Sequence, residues 1–450
     1  MAELTFSGAA GTVTGSKHLL ATGGKHLFID CGMYQGTKNV TALNAAPLPV
    51  PAAQIDAVVL THGHIDHVGY LPKLVRDGFR GPIFCTPATQ GLLAIVLADA
   101  AHLQEHMTRR GFHAERDRLL PPFYDSKDVA ATLPLARAVP LETDFARCGA
   151  TFRFHNAGHI LGSAFVDAHV EGKRVIFSGD MGRYDRPLLF DPTPLEAADE
   201  IVCEATYGDR DHPPDALGDL ERALLTAIER GGPVVIPAFA VERTQDMLYS
   251  IGVLQARNPK LADLPVHVDS PMAIEVDALF ARYPDAHKPF VDKPGAPFGC
   301  RHLRVHVSAD ESKELDALDA PGVIVSASGM ASGGRVLHHL HRRIPDPNAT
   351  IVFVGFQSPG TLGNLLVHGA QYVRIYGDQV PVRAGIVDLA GFSAHADRND
   401  LLRWLGTLHD KPHLYAVHAE PESAAHFVAT VTERLGFRAD VARRGETVSL

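Results

Sequence analysis

Residues 61–67 read THGHIDH, and no other stretch of the chain narrows its fold so far. They follow an apolar strand pattern at 57–60 and precede a helical pattern that begins near Gly69. His62, His64, Asp66 and His67 thus lie on a strand-to-helix turn, close enough in sequence to point at one shared centre. Imidazole and carboxylate at this spacing suit a divalent metal, zinc above all. With 25 His and 52 Asp+Glu in 450 residues, HxHxDH arises by accident on the order of once in a hundred such chains, so a stray polar loop is the lesser explanation.

The length suggests about three average domains or two large ones. Hydrophobic residues make up 46% and charged residues 21%, which excludes a disordered or collagen-like chain. The apolar runs, such as 91–98 and 234–241, are short, whereas a membrane span needs about 18 apolar residues. The opening MAELTFSGAA has neither a basic nor an apolar leader region, so no secretory signal is expected. Cys31, Cys85, Cys148, Cys203 and Cys300 are scattered and form no CxxC. This predicts a reducing, cytoplasmic setting with neither a disulfide frame nor a cysteine zinc site. The net charge, 42 − 52 = −10, argues against loose binding of nucleic acid over the whole surface, though a local basic groove or a metal site escapes that argument.

The first two hundred residues read as many short strands (25–30, 56–61, 151–154, 174–178) with helical patterns between them, notably 87–110. From about residue 219 helical runs (220–230, 244–256, 272–283) alternate with buried strand runs (233–238, 266–269, 322–326, 350–355). That alternation predicts a parallel α/β unit. Residues 288–299, rich in Pro and Gly, read as a loop, and strand–turn–helix patterns return at 414–418 and 422–435. Further ligand candidates end strand patterns: His159, Asp180 and His418. Singly each is weak, because a strand-end His or Asp is more often a satisfied turn residue; their value comes from the set.

In order and context, His62, His64, Asp66, His67, His159, Asp180 and His418 resemble the metal ligands of the metallo-β-lactamase fold, and Asp30 resembles its first motif. Residues 203–208 (CEATYG, with Glu204), 391–397 (GFSAHAD, with His395) and 417–420 (VHAE) resemble motifs A, B and C of the β-CASP nucleases. The resemblance spans essentially the whole chain. Ala205 stands where the family usually has Ser and Ala419 where it usually has Gly; neither is a ligand, so the change expected is one of local geometry. The fold implied is α/β, an αββα metallo-β-lactamase sandwich in two parts (1–208 and 376–450) with an α/β β-CASP domain inserted at 209–375. DNA-directed members resemble one another in an aliphatic motif C residue, so His418 implies RNA.

The resemblance implies a two-ion centre: His62, His64 and His159 on one Zn²⁺, Asp66, His67 and His418 on the other, and Asp180 bridging. Mn or Fe would also be accepted by such donors. Two ions about 3.5–4 Å apart clamp a phosphate and bring the pKa of a bound water to about 7. His395, paired with Glu204, is the candidate general acid, since a nearby carboxylate favours imidazolium; its competing role is that of a helix-cap neighbour. Asp30 would orient a ligand histidine, and Asp66 counts among both ligands and catalytic residues. Glycine-rich stretches at 328–335 and 355–363 could hold phosphates on backbone N–H groups, or be tight turns. Gly333, Gly334, Arg335, Arg243 and Ser393 are the candidate substrate contacts. His338, His339 and His341 read as a solvated helix face rather than a further metal site. The expected activity is a zinc-dependent ribonuclease on single-stranded RNA, without a membrane and with a homo-oligomer left open. A small-substrate hydrolase of the same fold, a DNA nuclease and an inactive RNA-binding scaffold are the rivals.

Overall fold

The computed structural model describes residues 1–109, 114–115, 118–119, 122–290 and 297–450. The expected helix end at 110 and the middle of the 288–299 loop fall outside them; the helix is described over Pro87–Arg109. The chain forms two compact units, residues 1–211 with 395–450, and residues 212–394. The second unit runs nineteen residues past the expected end of the insert at 375 (394 − 375 = 19). Its end moves because strand Gly385–Asp388 pairs in parallel with Thr350–Phe353 and completes the insert's own sheet.

The first unit holds two seven-stranded sheets. One runs Thr447–Ser449, Glu3–Phe6, His18–Thr22, Lys25–Ile29, Ala57–Val59, Ile83–Cys85 and Ala136–Ala138 from edge to edge. The other runs Arg438–Val441, His413–Val417, Glu200–Glu204, Lys173–Phe177, Ala164–Val170, Ala150–Asn156 and Phe145–Arg147. Side chains alternate between the faces of a strand. Leu27 and Ile29 of the first sheet therefore meet Phe152, Phe154, Val175 and Phe177 of the second in one buried cluster. The opposite face of the second sheet turns Ile176, Ile201 and Leu414 toward Trp404, Leu405, Phe427 and Val431. Those residues belong to helices Arg398–Leu405 and Pro421–Leu435, so the closing segment supplies strands to both sheets and helices to one face.

The helix expected from near Gly69 runs over Leu71–Arg76, and a separate helical turn, Ile65–Val68, precedes it. The break has a hydrogen-bond cause. The Asp66 carbonyl accepts from the Ser16 N–H and the His67 carbonyl from the Cys31 N–H, both at 2.8 Å, while the Tyr70 N–H donates to the Cys31 carbonyl. The carbonyls that would have continued one helix are committed to Ser16 and Cys31, in the loops flanking two strands, and Asp66 and His67 are held on a single turn.

The second unit matches the expected alternation. Its six-stranded sheet has the order Leu303–Val305, Val266–Val268, Val323–Ser326, Val234–Pro237, Thr350–Phe353, Gly385–Asp388, and each neighbouring pair is parallel. Helices Ala216–Arg230, Arg243–Arg257, Pro271–Arg282 and Val336–Arg343 alternate with these strands along the chain. Among the described residues no helix is long and apolar enough to cross a membrane.

Phe154 is fully buried between the two sheets, whereas Phe190 is 41% exposed. Phe154→Ala should lower unfolding free energy by about 3–5 kcal/mol, and Phe190→Ala by no more than about 0.5 kcal/mol. Urea denaturation of both variants checks this; equal effects would contradict the inter-sheet core.

Candidate metal centre

Each ligand candidate leaves a strand at the same end of the first unit. His62 and His64 follow Ala57–Val59, His159 follows Ala150–Asn156, Asp180 follows Lys173–Phe177, and His418 follows His413–Val417. Asp66 and His67 lie on the short turn Ile65–Val68. The connecting loops touch backbone to backbone. A Cβ on Gly32 would stand 1.5 Å from the Asp66 carbonyl oxygen, and one on Gly182 would stand 1.8 Å from that of Gly158; only glycine permits approaches this close. Asp30 and His418 take left-handed backbone conformations, φ 60° and 51°, a geometry that Asp and His tolerate better than most residues.

The Asp180 carboxylate lies at the middle, its side chain 1% exposed. One oxygen, Oδ2, is 3.4 Å from His62 Nε2 and 3.5 Å from His159 Nε2. Both of those nitrogens also approach His64 Nδ1, at 3.1 and 3.2 Å. The other oxygen, Oδ1, is 3.2 Å from His67 Nε2 and 3.6 Å from His418 Nδ1. His418 Nε2 in turn lies 3.3 Å from His67 Nε2 and 3.4 Å from Asp66 Oδ2. Three donor groups result among the described residues: His62–His64–His159–Asp180, Asp66–His67–His418, and Asp180–Glu204–His418, which overlaps the other two.

These spacings test whether ions fit. Tetrahedral zinc with bonds of about 2.0–2.1 Å sets its ligand atoms about 3.3 Å apart, and the nitrogen–nitrogen contacts above fall between 3.1 and 3.3 Å. Hydrogen bonding is a poorer account, because His64 Nδ1 faces two imidazole nitrogens at once. Asp180 Oδ1 is buried and accepts no hydrogen bond among the described residues, a costly state for a carboxylate oxygen unless a cation faces it. The donor set fits divalent ions.

The electrostatics agree. Burial alone would raise the Asp180 carboxyl, but His418, His67, His62 and His395 around it hold it well below the carboxylate range. Burial pushes His64 down to about 3, with His62 adding to the effect. Burial and the neighbouring His395 hold His159 well below the usual imidazole value. His67 is the exception: burial would lower it, yet Asp180 and Asp30 raise it well above.

Around this shell stand groups that fix ring orientation. Asp30 Oδ2 is 2.7 Å from His67 Nδ1, and the same carboxylate accepts from the Thr61 N–H and hydroxyl and from the Ser16 hydroxyl. Thr206 Oγ1 lies 3.1 Å from His418 Nδ1. Thr61, Thr206 and Ser16 were not picked out from the sequence. The first two lie inside the motifs, but a hydroxyl there gives no signal until the fold shows which ring it faces.

His395 is 18% exposed and its ring centroid is 4.6 Å from that of His159. Its Nδ1 lies 3.1 Å from Oε2 of the fully buried Glu204, and Glu204 Oε1 also accepts from the Met181 N–H. Burial would lower the His395 pKa, but Glu204, then Asp180, raise it to about 9. The helix-cap duty nearby belongs to Asp397, whose side chain accepts from the Asp400 N–H.

The remaining expected contacts belong to the second unit. Ser393 is buried. Gly333 has open space at its Cβ position, and Gly334 takes φ +77°. Three expectations need correction. Arg335 is not a free phosphate fork: it donates to Asp269 Oδ1 at 2.7 Å and to the carbonyls of His306 and Val307. Arg243 is buried and pairs with Asp246 at 3.0 Å. His339, expected to be solvated, is buried on Asp269 Oδ2 at 2.7 Å, while His338 and His341 pair with Asp316 and Asp378.

Family models match three portions of the chain. A beta-lactamase superfamily domain covers 26–238, a Beta-Casp domain 244–366, and a Zn-dependent metallo-hydrolase RNA specificity domain 379–442. The chain is 40% identical to a Thermus thermophilus protein named as a ribonuclease, over 98% of each. It is 32% identical to the transcription termination factor FttA of Methanosarcina mazei, over 100% of this chain and 71% of that protein. To an RNase J-like protein of Methanocaldococcus jannaschii it is 30% identical over 93% of each. A solved structure from Enterococcus faecalis V583, a protein of unknown function, aligns over the whole chain with a TM-score of 0.54 and 12% identity, which is a likeness of fold alone.

The Glu204–His395 contact makes its own prediction. In metal-free protein, Glu204→Gln should bring the His395 pKa from about 9 to about 7 or below, near or under the free imidazole value. An NMR titration of the imidazole resonances measures it; an unchanged value would mean that Glu204 is not the group holding the proton there.

Proposed function

The chain belongs to the β-CASP ribonuclease family of the metallo-β-lactamase superfamily, and on that premise we propose a ribonuclease that hydrolyses phosphodiester bonds of single-stranded RNA with two zinc ions per chain. The observation that carries the reading is the Asp180 carboxylate, one oxygen turned to His62 and His159 and the other to His67 and His418. His62, His64 and His159 would hold one ion, Asp66, His67 and His418 the other, with Asp180 shared. Zinc suits this imidazole-rich set best, ahead of Mn or Fe. When bound, such ions supply Lewis acidity toward a phosphoryl oxygen and lower the pKa of a bound water toward about 7.

The chain's own groups do the rest. Asp30 holds His67 by its Nδ1, so that Nε2 faces the centre. Thr206 does the same for His418. His395, kept protonated by Glu204 and open to solvent on one side, donates its proton to the departing ribose 3′-oxygen. Backbone N–H groups at Gly333 and Gly334, with Ser393, are the proposed phosphate contacts. Arg335 and Arg243 would support those loops from within rather than grip the phosphate. RNA rather than DNA is favoured by His418 in motif C, and by the printed description of the family model over 379–442, which includes both His395 and His418.

Freshly purified protein should contain close to two divalent ions per chain, mostly zinc, and Asp180→Ala should lower the occupancy of both sites together. Elemental analysis decides: one ion or none in active enzyme defeats the shared-carboxylate arrangement.

Matched single-stranded oligomers should be cleaved far faster as RNA than as DNA, with the 2′-OH available for discrimination. His395→Ala should retain metal and lose about 10²–10⁴-fold in rate on ordinary RNA. On a substrate whose bridging 3′-oxygen is replaced by sulfur, the leaving thiolate has a conjugate acid pKa near about 8.5 and needs no proton. Most of the mutant's deficit should vanish there, while Asp180→Ala stays impaired. Single-turnover rates on the two substrates test this; a deficit equal on both, with metals intact, means that His395 is not the acid.

A further inference from the structure

A cavity of about 630 Å³ opens on the face of the first sheet that is turned away from the inter-sheet core. Alternation along the strands places it there. Leu4, Phe6 and Leu20 enter the core between the sheets, so their neighbours Thr5, Leu19 and Lys17 line the cavity instead. Its volume falls within the roughly 300–1,000 Å³ of small-molecule sites. None of the proposed metal ligands lines it.

Lys17 forms the polar end. It is 4% exposed, its Nζ donates to the Gly32 carbonyl at 2.5 Å, and it stands 4.8 and 4.7 Å from the ring centroids of Tyr34 and Tyr70. Carbonyl and π faces stabilise an ammonium only in part. Among the described residues, none of the ion pairs gives Lys17 a carboxylate partner, and the same holds for Arg444, the exposed cation on the same cavity, which hydrogen-bonds Tyr34. Glu3, exposed, is the acid that lines the cavity. Burial lowers the Lys17 pKa to about 8, with Cys31 opposing, so the group keeps most of its charge at neutral pH. Leu43, Leu48 and Val50 also line the cavity and supply apolar surface. Two cations, two phenols and three aliphatic side chains on one cavity complement an anion that carries an apolar body.

We propose that this cavity is a binding site for a nucleoside monophosphate, with its phosphate at Lys17 and Arg444 and its base against Leu43, Leu48 and Val50. The choice of a nucleotide as that amphiphilic anion rests on the ribonuclease reading; the anion site itself does not. The phosphate monoester can be a free mononucleotide or the 5′ end of an RNA, and the chemistry recognised is the same.

Calorimetric titration of the intact protein with adenosine 5′-monophosphate tests the proposal. Binding should be measurable, and adenosine or inorganic phosphate alone should bind at least about tenfold more weakly, since each offers half of the complement. Arg444→Ala, a surface change, should weaken AMP by about tenfold, the loss expected for a charge-assisted phosphate contact, and Lys17→Met should weaken it further. Asp180→Ala should bind AMP as the wild type does, which separates this cavity from the metal centre. In that variant, displacement of AMP by a 5′-phosphorylated oligoribonucleotide but not by its 5′-hydroxyl counterpart identifies an RNA end as the source; displacement by neither identifies the free nucleotide. AMP binding that is unchanged in Arg444→Ala and Lys17→Met, or abolished by Asp180→Ala, overturns the proposal, as does phosphate binding as tightly as AMP. RNA cleavage assayed on the wild-type preparation keeps the two readings apart: AMP bound by wild type without cleavage defeats the ribonuclease, and cleavage without AMP binding defeats the cavity.

Discussion

A carboxylate sealed from water among imidazoles dominates the polar end of the first unit. The Asp180 side chain is 1% exposed, and nitrogens of His62, His67, His159 and His418 lie 3.2–3.6 Å from its oxygens. A buried anion of this kind costs several kcal/mol unless cations face it. Asp180 and Asp30 push the His67 pKa well above the usual imidazole value, and Glu204 with Asp180 pushes that of His395 up as well, while burial pushes His62, His64 and His159 down. The same geometry suits divalent ions, which would face both carboxylate oxygens at once.

Holding such a cluster requires backbone that cannot drift. Gly32 against the Asp66 carbonyl and Gly182 against the Gly158 carbonyl bring the loops together without intervening side chains. The main-chain bonds from Ser16 and Cys31 stop the 65–68 turn from becoming a longer helix. Two residues in the left-handed region, Asp30 and His418, sit where strands end and a side chain must turn into the site. Local strain of this sort persists only where the surroundings over-determine it, and here the surroundings are the two packed sheets and their shared aromatic core.

A second buried carboxylate plays a comparable part in the other unit. Asp269 follows strand Val266–Val268 and accepts from Ser312, Arg335 and His339, each at 2.7 Å. It ties the glycine-rich stretch before helix Val336–Arg343 to the sheet. This is why Arg335 is not a free cation and why His339, read from the sequence as solvated, is buried. The charge count of the segment was visible in the sequence; the partner lying 66 positions away from Arg335 was not.

The local elements needed no tertiary structure to be read. Strand ends at 57–60, 175–180 and 414–418, the alternation after 219 and the ligand spacing in 61–67 are set by side-chain periodicity and by residue chemistry, which are properties of neighbours in the chain. Tertiary structure decided the rest, because it depends on which distant residues meet. The insert extends to 394 because a strand at 385–388 finds its partner at 350–353. Thr206 and Asp30 acquire their contacts because folding turns His418 and His67 toward them. The cavity around Lys17 exists because the 43–50 segment stands over a sheet whose edge strand comes from the far end of the chain. Sequence spacing specifies which groups are available and roughly where each element ends. Only the packing of sheet on sheet specifies which of them share a charge, a proton or a ligand, since those couplings fall off within a few ångströms in space and take no account of separation along the chain.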